Sequence, residues 1–189
     1  MKKVAIAIFI LLLLTECSMP WKRGKKVDQP VTPAEIYNAL RNQMLTLEPG
    51  EVGLEPSEEM PDVWGVLMES GHPDLVMTLV ALADGTTSLY FSYGGGMIGG
   101  GEHPSVVKAA RSFLLEASNA YPAMTPTTSF PLPTTGRVKI YVLTYSGAYT
   151  IEAEEEALMN KTHELWPLFY LGNDVITQFR LIDEARNQK

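Results

Sequence analysis

The hydrophobic positions along the chain change period several times, and each change marks an element. Thr32-Pro33-Ala34-Glu35 reads as a helix start, with a capping threonine, a proline at the first helical position and a glutamate completing a capping box. Ile36, Ala39, Leu40 and Met44 then fall on one helical face, which predicts a helix laid on a sheet. Residues 48–61, acidic and broken by prolines and glycines, predict a solvated loop. Residues 62–69 read as a first strand, and 75–83 as a nearly continuous apolar run, the pattern of a strand covered on both faces. Asp84-Gly85 is a hairpin signal, and 86–93 alternates as the return strand, with Leu89, Phe91 and Tyr93 on one face.

His103-Pro104 opens a second helix whose Val106, Val107, Ala110, Phe113, Leu114 and Ala117 recur at helical spacing. The threonine- and proline-rich stretch 121–136 reads as a crossover loop. Residues 137–145 and 148–153 form a second hairpin around Ser146-Gly147. Glu152, Glu154, Glu155 and Glu156 suit a solvated edge or a helix start. Residues 161–172 carry no clear pattern. The last helix is expected from a cap at Asn173, with Val175, Ile176, Phe179 and Ile182 facing inward. The expectation is an α+β domain: one five-stranded antiparallel sheet with flanking helices, in the order α-βββ-α-ββ-α. That order is similar to the roadblock, longin and profilin-like folds, and fold alone does not settle function.

Charge divides the chain. Of 189 residues, the first 26 carry six basic residues against Glu16, whereas the rest carry nine basic and 21 acidic, a net charge of −12. An acidic body repels phosphate backbones, so no nucleic-acid partner is expected. Residues 1–18 resemble a signal-like leader: Lys2 and Lys3, then an apolar run too short to span a bilayer. Leu14-Thr15-Glu16-Cys17-Ser18 resembles a lipobox with Cys17 as the lipidated residue, although Glu16 stands where a small residue belongs. Residues 19–31 read as a basic linker and 32–189 as the single domain. Three readings stay open: an exported or lipidated protein attached to a membrane through residues 1–26, an uncleaved anchor, or a cytoplasmic chain starting at Met19. Cys17 is the single cysteine, which excludes an internal disulfide and a cysteine-based metal site.

The least ordinary stretch is Gly94-Gly95-Gly96-Met97-Ile98-Gly99-Gly100-Gly101-Glu102-His103. It formally contains G-x-G-x-x-G. A dinucleotide site would need a parallel βαβ unit and a suitably placed acidic residue, and the preceding strand belongs to a hairpin. No Gly-Lys-Ser/Thr follows, so the P-loop pattern fails too. What remains is a choice between a tight crossing from sheet to helix and an anion-holding turn with Glu102 and His103 at its lip. No catalytic, metal or cofactor motif is present, and His72 and His163 read as surface residues.

Thr32 to Tyr37, Leu82 to Ser92, Gly94 to His103 and Tyr141 to Thr144 together resemble a bacterial family with no established activity, over about residues 30–183. The resemblance implies no substrate. The expected function is a non-enzymatic protein-interaction or scaffold module with a protein partner or a second copy of itself. The alternative is a small-anion-binding protein or enzyme acting at the glycine turn.

Overall fold

The computed structural model describes residues 31–188. The leader, Cys17 and all of the basic linker except Val31 lie outside the described residues. The capping box forms as the sequence predicts: the Glu35 backbone N–H donates to Thr32 Oγ1, and the Thr32 N–H donates to Glu35 Oε2. It starts helix α1 (Pro33–Leu45). Strands β1 (Val63–Gly71), β2 (Val76–Leu82) and β3 (Thr87–Phe91) follow as an antiparallel meander. A two-residue strand β4 (Gly96–Met97) folds back on β3, and α2 (Pro104–Ala120) leaves from it. A three-residue strand β5 (Thr125–Thr127) precedes the hairpin of β6 (Arg137–Thr144) and β7 (Gly147–Glu154). The short α3 (Glu155–Met159) and the long α4 (Trp166–Asn187) close the chain.

The domain is therefore α+β on a single antiparallel sheet, but the sheet has seven strands, ordered β4-β3-β2-β1-β6-β7-β5, not five. The two added strands are the edges. One is built from Gly96-Met97 and the other contains Pro126, so neither is long enough to show a two-residue period. Short edges of this kind also leave little free ladder for another chain to extend.

One face of the sheet lies under α2 and α4. Val106, Ala110, Phe113 and Ala117 of α2, with Leu168, Val175 and Phe179 of α4, pack on Val66, Met68, Leu79, Leu89, Ile140 and Val142. The helices sit close because Gly172 leaves room: a Cβ there would stand 2.7 Å from Met68 Cε and 3.2 Å from Phe113 Cε2. Helix α4 begins seven residues before Asn173, which is interior and donates from Nδ2 to the Phe169 carbonyl. Pro167 in its first turn is the signal that the expected cap at Asn173 overlooked.

The opposite face is covered by α1 together with the loops 46–61 and 128–135. Its buried residues are Tyr37, Leu45, Leu54, Trp64, Leu67, Val80, Leu82, Tyr90, Tyr141 and Leu143. The orientation of α1 differs from the expected one. Tyr37, Arg41 and Leu45 point inward, and Ile36 is half exposed. The loop 46–61 is less solvated than its composition suggests, since Leu54 and Met60 are buried. Among the described residues no helix is long and apolar enough to cross a membrane.

Candidate functional site

The glycine stretch is shaped by its backbone conformation and, at Gly94, Gly96, Gly100 and Gly101, by close packing. Gly94, Gly95, Gly96 and Gly99 have φ of 106°, 82°, 148° and 84°, conformations that side chains with a Cβ disfavour. A Cβ at Gly94 would collide with Pro33 of α1, and one at Gly96 with the Leu89 carbonyl. Gly100 lies against Phe179, and Gly101 would bring a Cβ 2.7 Å from the Gly85 carbonyl. Three amides of the turn donate within the backbone: Gly94 to Phe91 at 2.8 Å, Glu102 to Gly99 at 3.1 Å and His103 to Gly100 at 3.0 Å. Glu102 is exposed. His103 adjoins the first residue of α2, and its Nε2 accepts from Arg186 Nη2 at 3.2 Å, since an arginine can only donate. The ten residues of the stretch thus form a compact crossing from β3 to α2.

The crossing has one consequence for the surface. By docking against Pro33, Gly94 and Gly95 join Pro33, Ile36, Tyr37, Leu40 and Tyr90 in lining a groove of about 200 Å³ beside α1. The lining carries no charged residue, although the body around it is strongly acidic. Ile36 on the groove's lining is 50% exposed. Tyr93, adjoining Gly94, is 62% exposed, and Val31, two residues before Pro33, is 67% exposed. Tyr93 stacks on Phe91 at 5.7 Å between ring centroids.

Beneath α1 lies a feature the hydrophobic pattern does not announce. Glu69, near the end of β1, is fully buried and receives a bidentate pair from Arg41: Nε to Oε1 at 2.6 Å and Nη2 to Oε2 at 2.8 Å. Thr78 Oγ1 donates to Glu69 Oε1, and the Tyr37 hydroxyl joins the network at Thr78. Arg41 Nη2 also donates to the Phe130 carbonyl at 2.9 Å, and Tyr141 donates to the Pro131 carbonyl at 2.6 Å. Burial opposes the charge on Arg41, but the hydrogen bonds and attraction of Glu69 outweigh it and raise its pKa further. Burial first, then the charge of Glu69, pushes the Tyr141 phenol well above its ordinary range. Every partner in this cluster is satisfied, so its chemistry is that of a clamp. It ties α1 to β1 and β2, and it ties the loop 128–135 to both.

A sequence signal for the clamp existed. Tyr37, Arg41 and Leu45 recur every four residues, and Glu69 directly follows the apolar run Val66-Leu67-Met68 inside a strand. Neither His72 nor His163 lines the groove or bonds within the clamp, and His163 Nδ1 accepts from the Leu165 N–H. Among the described residues no group of three acidic, histidine or cysteine side chains could hold a metal ion.

No protein-family model, curated protein or solved structure matches the chain.

Proposed function

We propose that the chain is a protein-interaction module that pairs with a second copy of itself through α1 and the groove at the glycine turn. The observation that supports the reading is the combination of an uncharged groove and a protruding apolar residue, Ile36, on the same helix of an acidic body. A two-fold axis crossing α1 places Ile36 of each copy against the groove of the other, an isologous contact that needs only one self-complementary patch. Two bodies of like charge repel over most of their surfaces, and the uncharged patch is where they can approach at least cost. Pairing by side chains also accords with sheet edges too short to carry a new ladder. The clamp then has a role, since α1 can serve as a contact surface only if its orientation is fixed.

Sedimentation equilibrium of the full chain over a concentration series tests this. The expected result is a reversible dimer that Ile36→Glu weakens by roughly thirty-fold or more, the effect of losing a central anchor. A chain that stays monomeric at every concentration, or a dimer indifferent to Ile36→Glu, overturns the reading.

A further inference from the structure

At the far end of α1 from the glycine turn, a second cleft of about 360 Å³ lies between the helix's last residues and the β6–β7 end of the sheet. Its walls include Leu45, Trp64, Phe130, Leu143 and Tyr145, with Glu48 the charged residue of the lining. Two buried side-chain polar atoms of the described residues have no hydrogen-bond partner, Trp64 Nε1 and Tyr145 Oη, and both belong to side chains of this one cleft. A buried unpaired donor is costly, and two on side chains of one cleft are an unusual concentration.

Backbone devices place both residues at the cleft. Trp64 is the extra residue of a bulge in β1, where the pairing to β6 shifts between Val63 and Gly65, and the bulge turns the indole towards the α1 face. The Tyr145 backbone N–H is fixed to the Asp62 carbonyl at 3.0 Å, and Thr144 Oγ1 closes the adjacent turn on the Gly147 carbonyl. Burial, then the charge of Glu55, pushes the Tyr145 phenol up, so it remains a donor at neutral pH. Phe130 also lines the cleft, and it is positioned by the clamp: its carbonyl accepts from Arg41 and its ring meets Tyr141 edge-on at 5.3 Å.

We propose that this cleft binds a small uncharged aromatic molecule carrying a hydrogen-bond acceptor, such as an amide or ketone oxygen, which takes the Trp64 and Tyr145 donors. The aromatic walls select a flat ring. An indole N–H only donates, so the ligand must accept. Glu48 in the lining and Glu55 near Tyr145 disfavour a carboxylate or phosphate. Both donors are covered in the free protein, so binding turns the two rings towards the ligand. The site is independent of self-association, because it shares no lining residue with the groove.

The test is a nitrogen–proton correlation spectrum of the full chain, in which Trp64→Phe identifies the Trp64 indole signal among those of the three tryptophans. Benzamide, toluene and benzoate are titrated in turn. Benzamide is expected to shift the Trp64 indole N–H downfield and to bind about ten-fold more weakly to Tyr145→Phe, the loss expected for one hydrogen bond. Ala148→Leu, which fills the cleft, is expected to abolish the shift and serves alone if Tyr145→Phe does not fold. An indole signal that none of the three moves overturns the proposal. So does toluene matching benzamide, which would mean apolar adsorption without the donors, and so does tighter binding of benzoate.

Discussion

Phe113 and Glu69 are both fully buried, and they stand on opposite faces of the same sheet. Around Phe113 the packing is wholly apolar, two long helices lie on the strands, and no gap remains at Gly172 for even a methyl group. Around Glu69 there is a carboxylate, a guanidinium, a threonine and two tyrosine hydroxyls, under one helix of 13 residues flanked by loops. Both faces exclude water, yet by different means. The first relies on area and shape, which tolerate no directional error but impose no particular partner. The second relies on a bonded pair that fixes α1 in one orientation and leaves a recess at each of its ends. The face under α2 and α4 is filled by apolar packing alone, whereas the α1 face is ordered by a buried ion pair and carries a recess at each end of its helix.

The comparison is broken most severely by removing one member of the clamp. Glu69→Ala leaves Arg41 buried without its partner and is expected to cost about 3–5 kcal/mol in urea unfolding. Phe113→Ala should cost a similar amount, about 3–5 kcal/mol, by opening a cavity. The two faces then separate on the second mutation. Adding Arg41→Met to Glu69→Leu should recover most of the loss, because an ion pair can be replaced by apolar side chains of similar size. No polar change rescues Phe113→Ala. If the Arg41/Glu69 double variant is as unstable as Glu69→Ala, the clamp is not a separable pair and the contrast fails.

Smaller effects sharpen it. Gly172→Ala, which presses a methyl group on Met68 and Phe113, should cost roughly 1–3 kcal/mol by overpacking and leave dimerisation unchanged. Gly94→Ala should cost roughly 1–3 kcal/mol through its positive φ and its clash with Pro33, and it should also weaken dimerisation, since it displaces one end of α1. Thermal unfolding and sedimentation on the same samples distinguish the two glycines.

The smallest effect concerns pH. Hydrogen bonds from Lys139, then from Arg137, hold the Glu152 carboxyl below its ordinary value of 4.5, and burial only partly opposes them. A depressed carboxylate stabilises the fold at pH above that value, and the contribution is lost as pH falls through its lowered pKa. The pair is partly exposed, so Glu152→Gln should remove at most about 1 kcal/mol at neutral pH and flatten the stability profile below about pH 4.5. Urea titrations across that range check the sign.

Much of the scaffold is legible in the sequence. The capping box at Thr32, the Asp84-Gly85 hairpin and the Pro104 helix start each rest on local chemistry, and local chemistry is what a sequence displays. The edge strands were not legible, because two or three residues contain no period. The inward face of α1 was misread for a different reason. Ile36, Leu40 and Met44 are the more apolar choice, but Arg41 is drawn inside by Glu69, 28 residues away, and the charge at its centre masks the four-residue recurrence of Tyr37, Arg41 and Leu45. Of the glycine turn, the sequence suggested both a tight crossing and an anion site. The backbone geometry explains the glycines as a crossing, and the groove beside Pro33 emerges only once α1 is in place. The bulge that aims Trp64 was equally hidden, since one extra residue in a strand alters pairing and not composition.

The most direct test of the α1 face as the contact surface is a filtered nuclear Overhauser measurement on mixed labelled and unlabelled full-length chain, which reads only contacts between copies. The account predicts cross-peaks between the Ile36 methyl groups of one copy and the Leu40 methyl groups or Tyr90 ring of the other. Contacts confined to α2 and α4, or none between copies at dimer-forming concentrations, would contradict it.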